Sequence, residues 1–162
     1  VVVSPGSLPA GTGAMSAQER RAKIVLDQRL ESSLESVDLS EEKVVALAQE
    51  AGFPEEDTYR LGYAVREALV NAVVHGNRYS ANKRVLLRVA CLPRGIEVIV
   101  QDQGGGFTFD KRSNALSEEN LMNQSGRGLA LIKAFTDELV VESAQPSGTR
   151  VILRKFLPPE VA

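Results

Sequence analysis

The stretch that decides the fold is EALVNAVVHGN, residues 67–77, together with the residues that lead into it. Leu61, Val65, Ala68, Leu69, Ala72 and Val73 fall at i, i+4, i+7, i+8, i+11 and i+12, one face of a 3.6-residue period. The spacing predicts a helix from the Pro54–Asp57 region to about Val74. Val70 and Val74 make it apolar on more than one side, as expected of a central helix. Glu67, Asn71 and His75 are spaced i, i+4, i+8, so they stack in one row that borders the apolar stripe. A carboxylate and an amide there need partners, because unpaired buried polar groups are costly. Taken alone, the row is equally readable as a helix edge that meets solvent or caps a loop.

Strands and a second helix surround this helix. Lys23 to Leu30 suits a first strand, with Ile24 and Leu26 pointing one way and Val25 the other. Helical spacing follows from Leu34 through Val37, Val44, Val45, Leu47 and Ala48, with Gly52 as the stop and a possible break at Asp38–Ser40. Val85, Leu87, Val89 and Cys91 alternate, Pro93-Arg94-Gly95 turns the chain, and Ile96, Val98 and Val100 alternate again. Gly128 to Phe135 reads as a short helix. Leu139–Glu142 and Thr149–Phe156 read as a last pair of strands around Pro146-Ser147-Gly148. Helices segregated from hairpin-linked strands predict an α+β fold: a two-layer α/β sandwich with a mixed, mostly antiparallel sheet and helices on one face.

Two more segments carry chemistry. In VIVQDQGGGF, residues 98–107, Asp102 keeps phase with Ile96, Val98 and Val100, so the strand aims a carboxylate inward beside Gly104, Gly105 and Gly106. Such an Asp can accept a hydrogen bond from an amino group such as N6 of adenine; it can equally cap its own turn. In SGRGLALIKAF, residues 125–135, two glycines open an apolar helix, so free N–H groups and the positive helix end suit a phosphate. No G-x-x-x-x-G-K-[ST] run and no G-x-G-x-x-G is present, which excludes a P-loop and a dinucleotide fingerprint. Each segment is weak alone. Their order is specific: Glu-x-x-x-Asn on a helix, Asp-x-Gly-x-Gly at a strand end, a long polar loop, Gly-x-Gly opening a helix, then Ser-Gly-Thr before the last strand.

In that order the chain resembles the GHKL ATPase superfamily, of Bergerat fold, and within it the anti-sigma-factor serine kinases of bacteria. The resemblance covers about residues 20–156. It implies that EALVNAVVHGN is the N box, with Glu67 the general base and Asn71 the Mg²⁺ ligand. It implies that Asp102 binds the adenine amine, that Gly104 and Gly106 shape the pocket, and that Gly126 and Gly128 lie at the phosphates. It also implies that residues 107–125 form the ATP lid and that Thr149 shares the adenine site through water. Arg127 and Lys111 flank the lid as candidates for the γ-phosphate, and His75 has a structural or supporting place. The extra glycine at 105 fits the pattern but loosens the pocket's rim.

The activity so implied is an ATP- and Mg²⁺-dependent protein-serine kinase that phosphorylates an anti-sigma-factor antagonist of the STAS type and alternatively sequesters a sigma factor, as a homodimer. Two other readings compete: a nucleotide-gated binding module without phosphotransfer, and a separate catalytic subunit of a histidine kinase. Glu67 argues against the first. The lack of a helical hairpin with its own histidine argues against the second, since His75 is the one histidine of the chain.

Composition agrees with these limits. The chain has 162 residues, 43% hydrophobic and 25% charged, without Trp, so one core of Val, Leu, Ile and Ala is expected. A net charge of −2 gives no footprint for nucleic acid or an anionic membrane. No apolar run reaches the ~20 residues of a membrane span, and a cytoplasmic location is expected. Cys91 reads as a small core residue. Residues 1–14, rich in Gly and Pro, are expected to be a disordered tail or an appended remnant ahead of Met15, with the tail set at 1–16 and a single ATP-binding kinase domain at 17–162.

Overall fold

A computed structural model of the protein describes residues 21–105 and 128–160. Five strands form one sheet: β1 (Lys23–Glu31), β2 (Arg84–Leu92), β3 (Gly95–Gln101), β4 (Glu138–Ser143) and β5 (Thr149–Phe156). Their order is β1-β2-β3-β5-β4. Three helices, α1 (Leu34–Glu50), α2 (Glu55–Val70) and α3 (Gly128–Phe135), lie on one face, giving the two-layer α+β sandwich. All four ladders are antiparallel, so among the described residues the sheet is not mixed. The tail at 1–16 and the lid at 107–125 lie outside the described residues.

Local chemistry fixes the helix ends. Ser33 caps α1 by accepting from Ser36 N–H at 3.2 Å. At the other end Gly52 takes φ +91, its N–H reaches the Gln49 carbonyl at 3.0 Å, and Phe53 N–H reaches Ala48 at 3.2 Å. That is a Schellman stop, and it explains why Gly52 ends the helix. The polar Asp38–Ser40 stretch does not break α1, because Ser40 turns inward and Asp38 pairs with Arg66 of α2 at 2.6 Å. Glu55, Glu56 and Asp57 place negative charge at the positive end of α2.

The core lies between sheet and helices. Val85, Leu87, Val89, Ile96, Val98, Val100, Val151 and Leu153 face Val37, Val44, Leu61, Val65, Leu69 and Ile132. The alternate residues of the strands face away from the helices. There Arg154 of β5 bonds Glu97 of β3 at 2.7 Å and Glu138 of β4 at 3.0 Å, in one cross-strand row. Cys91 is only half-buried, near the outer end of β2.

Two expectations shift by a residue or a turn. In β1 the register slips: Ile24 opposes Ala90 and Leu26 opposes Val89, so Val25 is bulged out and both Ile24 and Val25 are exposed. The regular α-helix of α2 ends at Val70, and Asn71–Gly76 continue it as one π-helical turn. Among the described residues no helix is long and apolar enough to cross a membrane.

Leu69, fully buried on α2, anchors that helix to the sheet. Leu69→Ala should lower unfolding free energy by about 2–5 kcal/mol. Leu39→Ala, at a position 53% exposed on α1, should change it by less than ~0.5 kcal/mol. Urea unfolding of both variants, with equal m-values, checks the contrast.

Candidate functional site

The site is built around α2 and the turn that prolongs it. Glu67 and Asn71, four residues apart, are half-buried and lie against the first residue of α3. A methyl group placed on Gly128 would sit 3.1 Å from Asn71 Nδ2, 3.3 Å from Glu67 Oε2 and 3.5 Å from Asn71 Oδ1. A Cβ there would press tightly on both side chains. A carboxylate, an amide and the N-terminal end of a helix therefore meet at one point, a combination suited to a phosphate and a hard cation.

The wider π-helical turn then carries the chain past Asn71. Asn77 N–H bonds the Ala72 carbonyl at 2.8 Å, one residue further back than an α-helix would place it. Insertions of this kind recur at functional sites. His75 projects to solvent from this turn, and the extra residue breaks the straight row expected for Glu67, Asn71 and His75.

Gly76 brings the turn against Asp102, just beyond β3. Asp102 is 6% exposed. Its Oδ1 accepts from Gly104 N–H at 2.8 Å and from Thr149 N–H at 3.2 Å, while Asp102 N–H donates to the Thr149 carbonyl at 3.0 Å. Among the described residues both hydrogen bonds to the carboxylate fall on Oδ1, which leaves Oδ2 for a further donor. Burial pushes this carboxyl above the ordinary aspartate value, opposed by the two N–H donors and by the charge of Lys83.

Three glycines make the fit possible. A Cβ on Gly76 would overlap the Asp102 carboxylate, one on Gly104 would overlap the Gly76 carbonyl, and one on Gly148 would overlap the Asp102 carbonyl. Gly148 also has φ +105. Gly105 has open space around it and is exposed, so the extra glycine crowds nothing.

The fold thus gathers Glu67, Asn71 and Gly128 at one end of the π-helical turn, and Asp102, Gly104 and Thr149 at the other. Gly106, Gly126, Arg127 and Lys111 lie outside the described residues. Sequence reasoning missed Gly76, Gly148 and Asn77. Asn77 is 1% exposed and bonds Gln103 N–H, Ser32 and the Arg84 carbonyl. Its only sequence signal was an amide after glycine at a predicted helix end, which many loops share.

A family model described as a histidine kinase-like ATPase domain matches residues 30–155, from the end of β1 to the end of β5. The chain belongs to this histidine kinase-like ATPase family. Within it, the chain is similar to the anti-sigma F factor of Clostridium novyi (strain NT), at 33% identity over 98 residues, which cover 58% of this chain and 67% of that protein. It is similar to the serine-protein kinase RsbW of Bacillus subtilis (strain 168), at 31% over 117 residues, 68% of this chain and 72% of that protein. It is also similar to the RsbW of Bacillus velezensis, at 29% over 138 residues, 82% of this chain and 85% of that one.

The buried Asp102 carboxylate gives the protein a pH signature. The folded Asp102 carboxyl titrates above its unfolded value near 3.8, so the folded chain holds that proton more tightly. The resulting stability is full below the unfolded value and is lost as pH rises through the raised folded one. Asp102→Asn keeps an oxygen for the Gly104 and Thr149 N–H groups without the charge. Relative to wild type it should therefore gain stability as pH rises through that window, then level off. Nucleotide-free thermal melts from acid to neutral pH test this; a difference that stays flat with pH would show that the carboxyl is not shifted.

Proposed function

We propose that the chain is an ATP- and Mg²⁺-dependent protein-serine kinase that phosphorylates a STAS-type anti-sigma-factor antagonist and, in alternation, sequesters a sigma factor. The observation that carries this reading is the meeting of Glu67 and Asn71 at Gly128, with the buried Asp102 at the far end of the same turn. The names of its relatives, anti-sigma F factor and serine-protein kinase RsbW, support the choice of activity and partner.

The residues present fit the nucleotide. Asp102 Oδ2 accepts from the adenine amine while Oδ1 stays fixed by Gly104 and Thr149, so the acceptor is oriented before the ligand arrives. The Thr149 side chain shares the adenine edge through a water, and Gly104, which has no room for a Cβ against the Gly76 carbonyl, keeps the wall thin. Gly126, Arg127 and Gly128 receive the phosphates, using backbone N–H groups and one guanidinium.

The donor set also fits the metal. Among the described residues no group of three or more His, Cys, Asp and Glu side chains is gathered for a metal. Mg²⁺ suits such a place, because it is held by one or two protein oxygens with waters and phosphate oxygens. Asn71 would supply the protein oxygen. When bound, the ion neutralises phosphate charge.

Glu67 Oε2 takes the proton of the acceptor serine as its Oγ forms the bond to the γ-phosphorus, and the bond from that phosphorus to the β,γ-bridging oxygen breaks to release ADP. ATP and ADP in the site favour different partners, so loss of the γ-phosphate switches which of the two the protein holds. A homodimer working in the cytoplasm completes the proposed partner-switching device.

Glu67→Gln should lower phosphotransfer by ~10²–10⁴-fold and leave affinity for a fluorescent ATP analogue within about threefold of wild type. The assay supplies γ-labelled ATP, Mg²⁺ and extract of the source organism, then tests the label with acid and alkali. An acid-stable, alkali-labile label on a small protein, absent with the variant, supports the reading. An acid-labile label would replace it with histidine phosphorylation, and ATP binding without any label would leave a nucleotide-gated binding module.

A further inference from the structure

Asn77 is buried beside the Gly76–Asp102 contact. It is the residue after Gly76, and its side chain uses both ends. Oδ1 accepts from Gln103 N–H at 2.8 Å, one residue past Asp102. Nδ2 donates to Ser32 Oγ at 2.9 Å and to the Arg84 carbonyl at 3.0 Å. Ser32 in turn donates to the Lys83 carbonyl at 2.7 Å, and the Gln103 side chain accepts from Arg84 N–H at 2.7 Å. A single amide thus ties together the exit of the π-helical turn, the exit of β3, the end of β1 and the start of β2.

The backbone around it would not hold this shape by itself. Arg78 and Tyr79 both take left-handed conformations, φ 51 and φ 58, which side chains bearing a Cβ adopt reluctantly. Tyr79 N–H bonds the Val73 carbonyl at 2.9 Å and Ser80 N–H bonds the Asn77 carbonyl at 3.0 Å, so the chain reverses tightly behind Asn77. On the other side of the joint, the Gly76 and Gly104 backbones touch so closely that no Cβ fits between them. Asn77–Gln103 is a side-chain bond spanning the same two segments.

We infer that Asn77 is the positioning residue of the adenine pocket: its Oδ1 bond to Gln103 N–H sets the distance between the Gly76 wall and the Asp102 carboxylate. This rests on the nucleotide reading above, because Asp102 is the group it positions. The two ends of the amide separate its duties. The Oδ1 end fixes the pocket. The Nδ2 end fastens the pocket to β1 and β2.

The test compares Asn77→Ala with Ser32→Ala, which removes one partner of Nδ2 and leaves the Gln103 bond. The probe is a mant-labelled ATP with Mg²⁺, read beside thermal melting. Asn77→Ala should weaken binding on the order of tenfold, and Ser32→Ala should lower the melting temperature with binding within about twofold of wild type. In the kinase assay the Asn77→Ala loss should fall on KM for ATP and spare kcat. Equal weakening in both variants, or unchanged binding in Asn77→Ala, overturns the inference. Wild type that fails to bind the probe sinks the nucleotide reading, and this inference with it. Should Asn77→Ala not fold, wild-type hydrogen exchange decides: the probe should slow exchange at the Gln103 amide and not at the Asp137 amide, and no slowing at Gln103 overturns the proposal.

Discussion

Everything at this site turns on a carboxylate kept where carboxylates are costly. Asp102 is almost wholly out of water, and two backbone N–H groups offset only part of its lost hydration. Holding it there dictates the surroundings. Gly76 must lack a side chain because the carboxylate occupies that space, and Gly148 must lack one because the Asp102 carbonyl does. Thr149 must begin β5 where its N–H and carbonyl both meet Asp102. Two segments far from it in the chain answer to one buried charge.

The second constraint is the double duty of α2. Leu61, Val65 and Leu69 bury one side of it against the sheet, while Glu67 and Asn71 stand on the border of that stripe and meet Gly128. A core-anchored helix gives these side chains a fixed base, the condition for preorganised chemistry. The π-helical turn at Asn71–Gly76 then re-aims the chain. It lets Asn71 stay with Glu67 while Gly76 moves over to Asp102, and it turns His75 out to solvent.

Much of this was legible because periodicity and hydrogen bonding leave marks in sequence. The α3 limits, Gly128–Phe135, and the β5 limits, Thr149–Phe156, follow the pattern to the residue, because glycine or a turn punctuates each start. The inward aim of Asp102 followed from its phase with Val98 and Val100. The β1 bulge was not legible: Ile24, Val25 and Leu26 are all apolar, and only pairing with β2 decides which one is extra. The all-antiparallel sheet was not fully legible either, since alternation is the same on strands of either sense.

The sequence by itself determined which residues are available for chemistry, and their order along the chain. The Glu-x-x-x-Asn row, the Asp-Gln-Gly-Gly-Gly strand end and the Gly before α3 are local facts, set by helical and strand repeats within a few residues. Tertiary structure decided who meets whom. Gly128 touches Glu67 and Asn71 across more than fifty positions of chain, and Thr149 bonds Asp102 across forty-seven. Asn77 took its importance from Ser32, Arg84 and Gln103, none of which shares a repeat with it. Such contacts depend on how the sheet brings β1, β2, β3 and β5 side by side, and no local repeat encodes that closure.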